Sequence, residues 1–139
     1  MVRLSTMSAL KILVYSDDSS IRQNLISALG KRLAPELPEN EILEFATGPA
    51  LRQYLDAKGK VDLFILDGEA APEGGMGIAR QLKDEIFNCP PVLLIVARAE
   101  DQWLGSWSRA EDVVVYPIDP FTFASRAAKL ITARTLAKN

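Results

Sequence analysis

The chemistry open to this chain is bounded first by the residue types it lacks. It contains no histidine. That excludes Ser-His-Asp and Cys-His nucleophilic machinery, a histidine general base and histidine-ligated zinc. Its single cysteine, Cys89, excludes an internal disulfide and any Cys-x-x-Cys redox or metal motif. Cys89 precedes Pro90-Pro91 with no acid–base partner and reads as an inert, partly buried thiol. The GGMG stretch at 74–77 lacks a third correctly spaced glycine, because Arg80 stands there, so it is a poor dinucleotide-binding loop. What remains are carboxylates placed directly after apolar runs. Asp17 and Asp18 follow KILVY, and Asp67 follows VDLFIL with Glu69 two residues on.

Those carboxylates must be positioned by a fold, and the composition supplies one. At 139 residues the chain is about one domain. With 48% apolar residues it can bury a core without disulfides. Sixteen Lys+Arg against eighteen Asp+Glu give a formal charge of −2, which argues against a nucleic-acid partner. No apolar run approaches the roughly 18–20 residues that span a bilayer, so an integral membrane protein is not expected. Lys11 interrupts the apolar stretch 7–14, leaving no signal h-region, and a cytoplasmic protein is the default. Residues 1–9 read as a tail and 10–139 as the domain.

Short β-branched runs alternate with helical periodicity. Strands are expected at 11–15, 41–46, 61–66, 92–97 and 113–116. Helices are expected at 19–33 with Ser at the N-cap, at 49–58, at 76–87 and at 100–110. A last helix is opened by Asp119 as cap and Pro120 at its first position. Phe121 and Phe123 are assigned to the core. Five strands alternating with five helices imply a doubly wound, five-stranded parallel sheet. In such sheets ligands sit outside the carboxyl ends of the strands. Those ends are 16–18, 67–69, 96–98 and 116–117.

The stretches KILVYSDDSSIR, VDLFILDGEAAPEGGMGIARQL, PPVLLIVARAED and EDVVVYPIDPF, in this order and spacing, resemble a response-regulator receiver domain over about residues 11–136. The resemblance implies a flavodoxin-like (βα)5 fold. It makes Asp67 the counterpart of the phosphoacceptor, Asp17 that of the second acidic residue binding Mg²⁺, Gly75 that of the loop glycine, and Pro117 that of a proline usually preceded by a cis bond. With the Glu69 carbonyl, Asp17 and Asp67 form a weak Mg²⁺ candidate. The departures from the family pattern are specific. Ser16 replaces the first acidic residue, Val96 the Thr/Ser, Val113 the aromatic that switches rotamer, and Tyr116 the Lys, while Pro72 falls one place late. The alternative role for Asp17 and Asp18 is to cap the following helix. A flavodoxin-like cofactor site using Ser16, Ser19 and Ser20 is disfavoured, because the glycine- and threonine-rich loop it needs is missing.

A Lys–phosphate contact is worth roughly 1.5–3 kcal/mol and a hydroxyl contact roughly 0.5–1.5 kcal/mol. Losing both forfeits about 2–4.5 kcal/mol if the two are additive. The expectation is a pseudo-receiver, not an enzyme, that acts as a phosphorylation-independent interaction module with no cofactor or weakly bound Mg²⁺. The alternative is an atypical phosphorelay receiver phosphorylated on Asp67. The expected partner is a protein, docking on the face of the fourth helix, fifth strand and fifth helix through Trp103, Trp107 and Arg109. Trp103 and Trp107 are i,i+4 neighbours, and at least one is expected to be exposed.

Overall fold

The apolar runs form five strands: β1 (Leu10–Tyr15), β2 (Asn40–Phe45), β3 (Leu63–Asp67), β4 (Val92–Val96) and β5 (Asp112–Val115). Between and after them lie α1 (Ser19–Leu29), α2 (Gly48–Asp56), α3 (Gly75–Glu85), α4 (Leu104–Ser108) and α5 (Phe123–Lys138). This computed structural model describes residues 8–138, so most of the tail expected over 1–9, and Asn139, lie outside the described residues. Every strand pair is parallel, in the order β2-β1-β3-β4-β5. The expected doubly wound sheet is therefore present.

Strand alternation divides the core into two layers. Ile12, Val14, Ile65 and Leu93 face α1 and α5, where Leu25, Leu29, Phe123 and Ile131 meet them. Leu13, Phe64, Leu66 and Leu94 face the other way, onto Leu51 of α2 and Ile78 and Leu82 of α3. With helices on both sides, β3 and β4 are buried along their whole length, which explains their unbroken apolar sequence. No described helix is long and apolar enough to cross a membrane.

Several helix ends differ from expectation for local reasons. The N-cap of α1 is Asp18, not Ser19. Its Oδ1 accepts the N–H groups of Ser20 at 2.8 Å and Ile21 at 3.3 Å, and a carboxylate also suits the positive helix end. The helix stops at Leu29, with Gly30 at φ 69°, and Leu33 reaches the core from the following loop. The helix expected over 100–110 is instead a 3-10 turn, Ala99–Asp101, followed by the short α4; neither segment has a side-chain N-cap. The expected start of the last helix at Pro120 is also corrected. Asp119 Oδ1 accepts the Phe121 N–H at 2.9 Å, and its carbonyl accepts those of Thr122 and Phe123 at 3.2 and 3.0 Å. That turn projects Phe121 into solvent at 93% exposure, against its core assignment, while Phe123 is buried at 1%.

Candidate functional site

The carboxyl ends of β1 and β3 lie side by side, where the strand order reverses. Asp67 closes β3 and is buried; Ser16 follows β1 and is also buried. The Ser16 hydroxyl donates to Asp67 Oδ2 at 2.7 Å and accepts the Asp18 N–H at 3.1 Å. Asp67 Oδ1 accepts the Glu69 N–H at 2.8 Å. Each oxygen of this buried carboxylate thus holds a donor from its own chain, as a buried charge requires. Arg22 fixes the same strand end, donating to the Ser16 carbonyl at 2.6 Å and pairing with Glu44 at 3.1 Å. Gly75 allows α3 to begin against β3, since a Cβ there would come 2.8 Å from the Asp67 carbonyl oxygen.

The other positions of interest are not drawn onto Asp67. Asp17 is exposed, and its Oδ1 accepts the Ala71 N–H at 3.1 Å, tying it to the β3–α3 loop. Of the two proposed caps, only Asp18 caps α1. The Glu69 side chain is exposed. Among the described residues, no three Asp, Glu, Cys or His side chains gather as a metal-holding group. Val96 is fully buried in the β4 layer. Tyr116 packs at the edge of the α1–α5 core, and its phenol oxygen accepts from Asn24 Nδ2 at 2.5 Å. Its polar end is therefore engaged with α1. The Tyr116–Pro117 bond is cis, as the family pattern implied, and so is Ala71–Pro72.

A polar clamp holds the β3–α3 loop, and the spacing of its members gave no sign of it. The buried Tyr15 donates its hydroxyl to the Glu73 carbonyl at 2.6 Å. Arg52 of α2 grips both Glu73 carboxylate oxygens, at 2.8 and 2.6 Å, and also donates to Gln81 Oε1 at 3.0 and 2.8 Å. The Arg52 hydrogen bond lowers the pKa of Glu73 below the ordinary glutamate range, and the same bond raises that of Arg52. Burial, and after it the charge of Glu73, raises that of the Tyr15 phenol. Burial likewise pushes the Cys89 thiol up.

Trp103 and Trp107 are both exposed, at 65% and 46%. Trp107 is turned toward α3. The Arg80 guanidinium lies 5.0 Å from its ring centroid and donates to its carbonyl at 2.7 Å. Arg109 pairs with Asp84, also on α3. Val113 is half-buried, with Gly105 of α4 against it.

A parallel 2-1-3-4-5 sheet with a buried acidic residue ending β3 beside the end of β1 defines a receiver-type α/β module. The chain belongs to the response-regulator receiver family. It is 52% identical over 126 residues to uncharacterised response regulatory proteins of two strains of Mycobacterium tuberculosis, covering 91% of this chain and 94% of each relative. Solved receiver domains share the fold. One from Clostridium thermocellum has 22% identity and a TM-score of 0.72, covering 92% of this chain and 98% of that one. Another, from Methanospirillum hungatei, has 16% identity and a TM-score of 0.73, covering 94% and 99%. No protein-family model matches the chain. It is a receiver domain of two-component signalling. Receiver domains are signalling modules rather than enzymes; they interact with partner proteins and typically bind Mg²⁺ at the phosphorylation site.

Proposed function

We propose that this receiver is a pseudo-receiver: a constitutive protein-interaction module whose output is not set by phosphorylation of Asp67. The Ser16–Asp67 hydrogen bond carries this reading. Transfer of a phosphoryl group needs an Asp67 oxygen free to attack and positive charge to meet the incoming oxygens. Here Oδ2 is held by Ser16 and Oδ1 by the Glu69 N–H. Each oxygen keeps a lone pair, but a hydrogen bond to a charged group, worth roughly 1.5–3 kcal/mol, stabilises its charge and lowers its nucleophilicity. No ammonium stands in the place that Tyr116 occupies, and Val96 offers no hydroxyl.

The donor set does not suit a resident Mg²⁺. Such an ion takes near-octahedral oxygen ligands, usually including one or two carboxylates. Ser16 supplies a proton toward Asp67 Oδ2 where the family has an acidic ligand, and one oxygen of Asp17, Oδ1, accepts the Ala71 N–H. A ligand shifts a conformational equilibrium only through its differential affinity for the two states. With Tyr116 bonded to Asn24, a group on Asp67 has no side chain in the β4–β5 layer to pull.

The test is intact-mass spectrometry after incubation with Mg²⁺ and a small phosphodonor, beside an Asp67→Asn control. No phosphoryl mass gain supports the pseudo-receiver. A gain that requires Asp67 replaces it with the phosphorelay reading.

A further inference from the structure

We infer that the groove between α3 and α4 is a preformed docking site for a partner-protein segment that presents an apolar anchor side chain next to a carboxylate. The inference deepens the interaction-module reading and rests on it. It places the contact on α3 and α4 instead of the expected face of α4, β5 and α5.

The groove has a volume of about 610 Å³, within the ~300–1,000 Å³ of ordinary ligand pockets. Trp103, Leu104 and Trp107 line one side, and Met76, Ile78 and Gln81 line the other. Two exposed tryptophans beside a methionine make a bed for a large apolar side chain, and Trp is a favoured anchor at interfaces.

The charges around the groove narrow the partner further. Arg52 is neutralised by Glu73, and Arg109 by Asp84. Arg80 has no carboxylate partner among the described residues. It lies on the Trp107 ring and donates only to the Trp107 carbonyl. Arg80 does not itself line the groove, but as a cation stacked on the lining residue Trp107, with hydrogen-bond donors to spare, it complements an anionic group beside the apolar anchor.

The platform is also held without any help from Asp67. Arg80–Trp107 and Arg109–Asp84 fasten α4 to α3. Arg109 adopts φ 63°, a left-handed cap that glycine ordinarily takes. Gly105 sits so close to β5 that a Cβ would fall 2.3 Å from Val113 Cγ2. A surface fixed in this way loses little freedom on binding.

The test pans a displayed library of random 12-residue peptides against the full chain, with the Trp103→Ala/Trp107→Ala double variant as counter-target. Enriched peptides are then synthesised and their affinities measured. The expected peptides carry Trp, Phe or Leu within a helical turn of Asp or Glu. Their affinity should fall at least ~10-fold with Trp107→Ala and several-fold with Arg80→Gln, and thermal unfolding should show both variants folded. Several results would overturn the inference: no enrichment over the double variant, enrichment of basic or uncharged peptides, or affinity indifferent to Arg80. Self-association lost in Trp107→Ala would assign the groove to a second copy instead. Affinity that responds to phosphodonor treatment through Asp67 would defeat the constitutive reading while leaving the groove standing. Failure of the peptides alone would remove the groove and leave the mass-spectrometric result untouched.

Discussion

Replacing Ser16 by Ala removes one oxygen and strands two partners. Asp67 Oδ2 loses its donor at 2.7 Å, and the Asp18 N–H loses its acceptor at 3.1 Å. Both Ser16 and Asp67 are buried, so water cannot readily replace the hydroxyl. A hydrogen bond to a charged group is worth about 1.5–3 kcal/mol, and leaving a buried acceptor unsatisfied puts the cost within that range. With m near ~1.5 kcal/mol/M in urea, the unfolding midpoint should fall by roughly 1–2 M with m unchanged. Ser27→Ala is the control. Ser27 is exposed on α1, and its replacement should stay within ~0.5 kcal/mol. If Ser16→Ala also stays within ~0.5 kcal/mol of wild type, Ser16 does not hold Asp67, and the argument for a closed site fails.

Three further outcomes follow from the same geometry. Ser16→Asp should destabilise the chain in chelator by setting like charges against Asp67, and Mg²⁺ should restore stability, whereas wild-type unfolding should be indifferent to Mg²⁺. Phe123→Ala should cost about 3–5 kcal/mol in urea unfolding, and Phe121→Ala, on the exposed turn, less than ~0.5 kcal/mol. Because Arg52 holds Glu73 below the ordinary glutamate range, its clamp is complete above about pH 4.3 and is lost as pH falls through the lower folded value. Amide exchange of Glu73 and Gly74, corrected for intrinsic rate, should therefore rise as pH falls below about 4.3, and Glu73→Gln should abolish that rise.

The sheet was legible because β1, β3, β4 and β5 are short apolar runs, β2 (NEILEF) is a half-exposed strand, and the periodicity changes between strand and helix. β1, β3 and β4 lie within two residues of their sequence-derived bounds. The misreadings fall where a single hydrogen bond decides. Asp119 caps a turn instead of a helix, and that shift exposes Phe121 while burying Phe123. The fourth helix reads as one segment, but it is short because no side chain caps it and Gly105 is needed against Val113. At the candidate site, the juxtaposition of Ser16 and Asp67 followed from strand order once the family pattern was aligned. The Arg52–Glu73–Tyr15 clamp did not, since its members are 21 and 58 residues apart and belong to no motif. The direction of Tyr116 was hidden for the same reason. Only the packed structure brings Asn24, 92 residues away, against it. In the sequence Arg80 stands out only as the residue in place of a third loop glycine, and its stacking on Trp107 needs α4 packed against α3.

The central claim is that chemistry at Asp67 does not reach the interaction surface. The most direct measurement is the ¹⁵N–¹H correlation spectrum of the protein with and without Mg²⁺ and beryllofluoride, a stable mimic of an aspartyl phosphoryl group. The account predicts that the indole N–H signals of Trp103 and Trp107 and the amides of α4 keep their positions. A second set of resonances for α4 and both tryptophans, present with the mimic and absent in Asp67→Asn, would contradict it.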